Sequence, residues 1–411
     1  MLVRAVALLR AAFLGDCSLP IKILWQKEGG SLWGTSVPAE SVAPMGVVAA
    51  LSVWFLLMVW LAHMAAGQRF SPQRVAFVCT FLYAMHYATA LEIEEKRCAP
   101  LPRVVIGCWQ LLERDSSRDA AVQTLEAYAA AGFTAFDTAD IYGPSESILG
   151  AFRAAHDGPL TFHTKYVTQD SSKANAVAVN KQSRKSLRVE SLDLVQFHWW
   201  DFSDGAYVET AKHLVDLRTK GLIGEVAACN FDATHLETLL DAGIPLVANQ
   251  VQYSLLDRRP ENGVIALATK RGLQLTCFGT AAGGWLSDKY LGAPEPTRSD
   301  ISKGTVSLRM YKSSLDAWGP WSLFQELLKT LRAVGDELDA SISAVAVAWV
   351  LDALDRSCGG SVILGVRDAS HLDDHVRARD LALDDMHRAA IRAVLDKGAA
   401  PRGDIWSRER G

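Results

Sequence analysis

The chain has 411 residues, a formal net charge of −4 and no long basic block, which argues against an electrostatic nucleic-acid surface and predicts one large domain plus an extra segment. Its seven cysteines (Cys17, Cys79, Cys98, Cys108, Cys229, Cys277 and Cys358) include no Cys-x-x-Cys pair and no zinc-like Cys/His spacing. That pattern argues against a disulfide framework or a zinc site and for reduced thiols in a reducing compartment.

Residues 1–41 read as an N-terminal tail. Arg4 and Arg10 precede the first acid, Asp16, in an Ala/Leu-rich background, which fits either an organelle-targeting amphipathic helix or an unstructured cytosolic tail. Residues 42–91 are predicted as a transmembrane segment or hairpin. Met45–Ala66 carries no acid, lysine or arginine, and about 20 such residues cross a bilayer core. A second apolar run, Val75–Leu91, follows Arg69 and Arg74 and is short for a span. A bilayer hairpin, a single span with an interfacial partner, and a buried pair packed on the soluble domain all fit. A hairpin would put Lys22, Lys27, Lys96, Arg97 and Arg103 on one side, and that excess of positive charge places the following domain on the cytosolic face.

Residues 98–400 change texture to short β-branched runs alternating with amphipathic stretches. Strands are predicted at Val104–Gly107, Phe133–Asp137, Leu160–Lys165, Leu192–His198, Glu225–Ala228, Leu246–Gln250, Leu273–Phe278 and Ser361–Leu364. Helices are predicted at Arg118–Ala131, Ala174–Leu187, Tyr207–Lys220, Thr234–Ala242, Gly263–Arg271, Phe324–Glu337 and Ala344–Leu354. Eight strands alternating with helices indicate an α/β fold of the parallel (β/α)8 TIM-barrel kind. No G-x-G-x-x-G follows the first strand, so the Rossmann fingerprint is absent.

Asp137 stands at the end of the second predicted strand and Tyr142 on the loop after it, while Lys165 ends the third strand and His198 the fourth. An Asp, Lys or His at one strand end is ordinarily a turn residue, a solvated charge or a structural group. Four such residues on three successive strand ends are brought together by barrel geometry. With these residues in place the sequence resembles the aldo-keto reductases over about residues 100–398. The resemblance rests on Gly107-Cys-Trp109, on Gly132-Phe-Thr-Ala-Phe-Asp-Thr-Ala-Asp-Ile-Tyr-Gly143 with Ser145-Glu-Ser-Ile-Leu-Gly150, on Thr164-Lys165 and the His198 strand. It extends to Gly221–Phe231, Asn249-Gln-Val-Gln-Tyr253 and Ile363-Leu-Gly-Val-Arg367 with His371-Leu372.

The resemblance implies that Asp137, Tyr142, Lys165 and His198 form the family's catalytic tetrad in an NAD(P)H-dependent reduction of a small aldehyde or ketone. Tyr142 would give the proton, Lys165 would favour the phenolate by up to about 4 kcal/mol at roughly 4 Å, Asp137 would aim Lys165, and His198 would align the carbonyl. It also implies cofactor contacts: Asn230 and Gln250 on the nicotinamide carboxamide, Phe278 stacked on its ring, and Gly279 to Ala281 near the pyrophosphate. Gly365, Val366, Arg367, His371 and Asp374 fall at the adenosine 2′-phosphate and adenine. His371 stands where Arg or Gln is common, yet Arg367 can grip a phosphate in bidentate fashion, so NADPH is expected over NADH. The aromatic-rich stretch from Gly283 to Trp321, with Trp199 and Trp200, is expected to line a partly apolar substrate pocket. A non-catalytic NADP(H)-sensing subunit of a membrane protein fits the same residues. Cys108, Cys229 and Cys277 read as small buried hydrophobes.

Overall fold

The structure, a computed structural model, describes residues 101–111, 117–399 and 402–405. The chain divides after Glu92, and all described residues lie in the second unit, Ile93–Gly411. The targeting and membrane expectations fall on residues 1–91, outside the described residues. Among the described residues no helix is long and apolar enough to cross a membrane.

Eight parallel strands close into a barrel in sequential order: β1 (Val104–Gly107), β2 (Ala135–Asp137), β3 (Thr161–Thr168), β4 (Leu192–Trp199), β5 (Ile223–Cys229), β6 (Leu246–Gln252), β7 (Gln274–Phe278) and β8 (Gly360–Gly365). Closure runs through Val104↔Val362 to Gly107↔Gly365, and Gly107 also faces Asp137. Most strand positions are buried, as expected of a parallel sheet covered by helices on its outer face.

The helices between strands are α1 (Arg118–Ala130), α2 (Ser145–Ala155), α3 (Lys173–Leu187), α4 (Ala206–Thr219), α5 (Ala233–Asp241) and α6 (Val264–Arg271). Between β7 and β8 stand four more: α7 (Arg298–Ser302), α8 (Val306–Trp318), α9 (Trp321–Leu338) and α10 (Ile342–Asp355). Two follow β8, α11 (Leu372–Asp380) and α12 (Asp385–Leu395). Their starts carry the chemistry of N-caps: Ser117, Ser172 and Ser341 accept from backbone N–H groups of Ala120, Asn175 and Ala344 at 3.1, 3.2 and 2.9 Å, satisfying donors that a helix leaves open.

Three expectations change. β3 does not stop at Lys165: its ladder with β4 continues through Lys165↔Gln196 and Val167↔His198 to Thr168↔Trp199, so Lys165 lies inside the barrel rather than at its edge. An unforeseen helix, α2, connects β2 to β3. Part of the aromatic stretch turns inward. Trp285, Trp318 and Tyr290 are buried, and Trp285 sits 4.6 Å from Tyr290 and 6.1 Å from Trp321 between ring centroids. The rings form a core for the excursion after β7. That excursion is tied back to the rim by Gln110 Nε2 donating to Ser307 Oγ at 2.9 Å.

Candidate active site

Asp137 ends β2 with both carboxylate oxygens engaged. Lys165 Nζ donates to Oδ2 at 2.5 Å and to the Thr138 carbonyl at 2.8 Å. On the other oxygen, Gln196 and Gln250 donate to Oδ1 at 2.7 and 2.8 Å, and Gln250 also donates to Gln196 Oε1 at 2.5 Å. Lys165 and Asp137 are both buried, at 4% exposure each, a depth at which an unpaired charge would be prohibitive. Burial pulls the Lys165 ammonium toward the neutral form, but Asp137 and then Tyr142 outweigh it, and the ammonium titrates above its ordinary range.

Tyr142 lies on the turn after β2 with its ring face 4.8 Å from Lys165 Nζ. Burial pushes the phenol up and Lys165 draws it down, leaving it at about 12. Lys165 thus acts in the expected direction, and desolvation is the larger effect. His198, on β4, is buried and packs edge-on against Trp200 with ring centroids 4.5 Å apart; its strand register faces Cys229 and Val167. The mouth beside Tyr142 carries Trp109, 6.4 Å away between ring centroids, and Ile141, which are 45% and 58% exposed.

Two buried residues missed in the sequence complete the floor. Gln196 is the third partner of Asp137, and the His163 ring is held neutral, down to about 4, by burial against an opposing pull from Asp137. Both follow from period two: His163 precedes Lys165 by two and Gln196 precedes His198 by two, so each pair shares a strand face.

The expected cofactor positions cluster along the rim from β5 to β8. Asn230, buried and left-handed at φ 58°, donates its backbone N–H to the Gln250 carbonyl at 2.8 Å. The Gln250 amide nitrogen is committed to Asp137 and Gln196, so its first role is inside the barrel. Phe278 is half-buried and packs against Val105, Ala135 and Ile363. Gly279, at φ 70°, lies so close beneath Tyr311 of α8 that a Cβ there would stand 2.4 Å from the Tyr311 hydroxyl. Ala281, whose carbonyl accepts from Gly284 N–H at 3.0 Å, belongs to the same turn. On the loop after β8, which begins at Gly365, Arg367 Nε donates to Asp368 Oδ2 at 3.2 Å. The His371 ring lies 6.2 Å from that of His375, and Asp374 accepts a short hydrogen bond from the Ser341 hydroxyl. A π face at the end of β7 and a cation on the loop after β8, where barrels commonly seat phosphates, fit a nicotinamide dinucleotide.

Cys108 and Cys277 are buried thiols outside any disulfide, raised well above their usual range, chiefly by burial, and Cys229 is a buried thiol whose Sγ donates to Gln250 Oε1 at 3.8 Å. Among the described residues no group of three or more His, Cys, Asp or Glu could hold a metal.

Residues 103–396 match the family described as "Aldo/keto reductase family". Flagellar radial spoke protein 5 of Chlamydomonas reinhardtii is 33% identical over 183 residues, 40% of this chain and 34% of that protein. The chloroplastic pyridoxal reductase of Arabidopsis thaliana is 27% identical over 285 residues, 64% of this chain and 73% of that protein. The chain thus spans about a third of the first relative's length. The fold is shared with the glycerol dehydrogenase AKR11B4 of Gluconobacter oxydans, with a TM-score of 0.63 and 23% identity over 74% of this chain and 95% of that one. It is shared too with an aldo/keto reductase of Klebsiella pneumoniae in complex with NADP and acetate, with a TM-score of 0.57 and 18% identity over 74% and 94%. A family match across almost the whole barrel, on a chain whose fold brings Asp137, Lys165 and Tyr142 together, shows that this chain belongs to the aldo/keto reductase family.

Proposed function

We propose that the barrel reduces a small aldehyde or ketone to the alcohol, reversibly, with NADP(H) as the hydride carrier and Tyr142 as general acid. The observation that carries this reading is the buried Lys165–Asp137 pair directly beneath the Tyr142 ring. When bound, the dinucleotide supplies hydride to the carbonyl carbon. The protein's own task is the proton and the geometry. The Tyr142 phenol is protonated across the physiological range and donates as negative charge develops on the carbonyl oxygen. Lys165 stabilises the phenolate left behind, and Asp137, fixed by two glutamine amides, keeps Lys165 charged and aimed. His198 orients the carbonyl oxygen, and Phe278 offers the stacking face. Support for the cofactor comes from the NADP held by the Klebsiella pneumoniae neighbour. The exposed Trp109 ring and Ile141 side chain beside Tyr142 favour a partly apolar substrate. Multiple-turnover oxidation of NADPH with a panel of aldehydes, ketones and quinones tests the reading. Tight dinucleotide binding with no turnover on any of them would instead identify a non-catalytic sensor.

Residues 42–91 are proposed as the membrane anchor, with the barrel on the cytosolic face, on the grounds of the uncharged run Met45–Ala66 and the positive charge flanking residues 42–91. The full-length chain should sediment with membranes and resist carbonate extraction, whereas a chain beginning at Cys98 should stay in the supernatant. Full-length protein found in the supernatant would refute the anchor.

A further inference from the structure

The loop joining β8 to α11 carries one arginine, Arg367, and one acid, Asp368, and two more acids, Asp373 and Asp374, stand in the first turn of α11. Among the described residues the ion-pair partner of Arg367 is its own neighbour, Asp368, at 3.2 Å, with both side chains partly open to solvent at 34% and 48%. Asp368 is also held in place. Its Oδ1 accepts from Ser370 N–H at 2.9 Å and caps the single turn Ala369–His371. These contacts, Ser370 before Arg367, keep its carboxyl at about 2, so it is ionised at every physiological pH. Among the described residues, the arginines of the following helix α11 are turned to other partners, Arg377 to the Asp339 carbonyl and Arg379 to Asp380. The Tyr128 hydroxyl from α1 meets His375 Nδ1 at 3.0 Å, and burial, with His371 nearby, holds that imidazole neutral, down to about 4. Asp374 is engaged by Ser341.

A dianionic phosphate arriving at Arg367 must therefore displace a carboxylate that is already there and that cannot leave the loop. A ribose bearing only hydroxyls meets no such competition, and a nearby acid even suits it as a hydrogen-bond acceptor. We propose that Asp368 sets the selectivity between the two nicotinamide dinucleotides: it occupies and partly neutralises Arg367, weakening the hold on the 2′-phosphate and admitting NAD(H) alongside NADP(H). This inference rests on the reading of the barrel as a dinucleotide-binding reductase.

Asp368→Asn isolates the effect, because the amide oxygen keeps the cap on Ser370 while the charge is lost. Titration of the full-length protein, followed by quenching of tryptophan fluorescence, gives Kd for NADPH, NADH and adenosine 2′,5′-bisphosphate. The variant should bind NADPH and the bisphosphate about three- to fivefold more tightly, as expected for removal of a partly exposed ion pair, and NADH within about twofold of the parent. Asp368→Ser, whose hydroxyl can serve the same cap, should move each Kd in the same direction. Unchanged or weaker NADPH binding in both variants, or equal tightening for NADH, would overturn the assignment. If the parent protein binds neither dinucleotide, it is the underlying functional reading that fails.

Discussion

Residue identity at the centre of this barrel is set by one constraint: a lysine is kept charged where water cannot reach it. Asp137 supplies the countercharge, and Gln196 and Gln250 saturate its other oxygen. The phenol above inherits the consequences. Replacing Tyr142 by Phe removes the proposed proton donor and nothing else, so turnover should fall by about 10²-fold or more with dinucleotide Kd little changed; an equal loss of both would argue against the role. Replacing Lys165 by Met leaves Asp137 with its two amide donors but removes the positive charge that draws the phenol down toward about 12. The phenol pKa must then rise, so the pH limb of kcat/KM for alcohol oxidation should move upward. A downward shift, or none, would contradict the assigned electrostatics. Asp137, Tyr142 and Lys165, which the fold brings together, stood out in the sequence because a strand pattern and a family pattern coincide there. Gln196 and His163 did not, since an uncharged or neutral side chain inside a strand gives no signal unless its parity with a neighbouring polar residue is counted. Asp368 escaped for a different reason: its effect lies in the ion pair with Arg367, and pairing between adjacent loop residues is decided by backbone geometry.

Elements were legible where their hydrophobic period was long enough and obscure where packing alone defines them. The eight strands and most of the covering helices follow from apolar runs and caps. Helix α2 does not, because Ser145–Gly150 was legible only as a sequence pattern, whereas its physical meaning is a contact. A Cβ on Gly150 would stand 2.1 Å from the Ser186 carbonyl oxygen and 3.1 Å from the Leu187 carbonyl carbon of α3. The obstructing atoms are backbone, so they cannot swing aside as a side chain would. Gly150→Ala should therefore cost about 1–3 kcal/mol despite the better helix propensity of alanine, seen as a lower midpoint in urea with an unchanged slope. A midpoint at or above that of the parent would show that the two helices can separate cheaply. The aromatic excursion after β7 was harder to read, because many rings in a loop suggest a pocket, whereas Trp285, Tyr290 and Trp318 are buried, Trp285 packs on Tyr290, and Ser307 and Tyr311 meet the rim at Gln110 and Gly279.

At the scale of the whole molecule, His375 and Asp140 give stability opposed pH dependences. His375, held down to about 4 mainly by burial and then by His371, stays neutral in the fold while the unfolded chain takes up a proton below about 6.5. Its contribution is therefore lost as pH falls from about 6.5 toward 4. Asp140 acts the other way. Its carboxyl is pushed up to about 7, first by burial and also by Glu146, against hydrogen bonds from Val167 and Ile141 and the charge of Lys165. One of its oxygens, Oδ1, is buried without a hydrogen-bond partner, while Oδ2 accepts from Val167 N–H at 3.3 Å. Between about pH 4 and 7 the folded protein thus binds a proton that the unfolded chain has released, and stability falls as pH rises through that window, by at most about 1.4 kcal/mol per unit. Partial solvent access lowers the total to roughly 1–3 kcal/mol. Asp140→Asn keeps the acceptor for Val167 and abolishes the titration. The Tm of the variant should match the parent near pH 4 and exceed it by a margin that widens up to about pH 8. Because His375 is common to both proteins, its opposite slope cancels in the difference. A margin that stays constant with pH, or narrows as pH rises, would mean that Asp140 ionises in the fold as readily as in the unfolded chain and that its buried oxygen is stabilised by something other than its own proton.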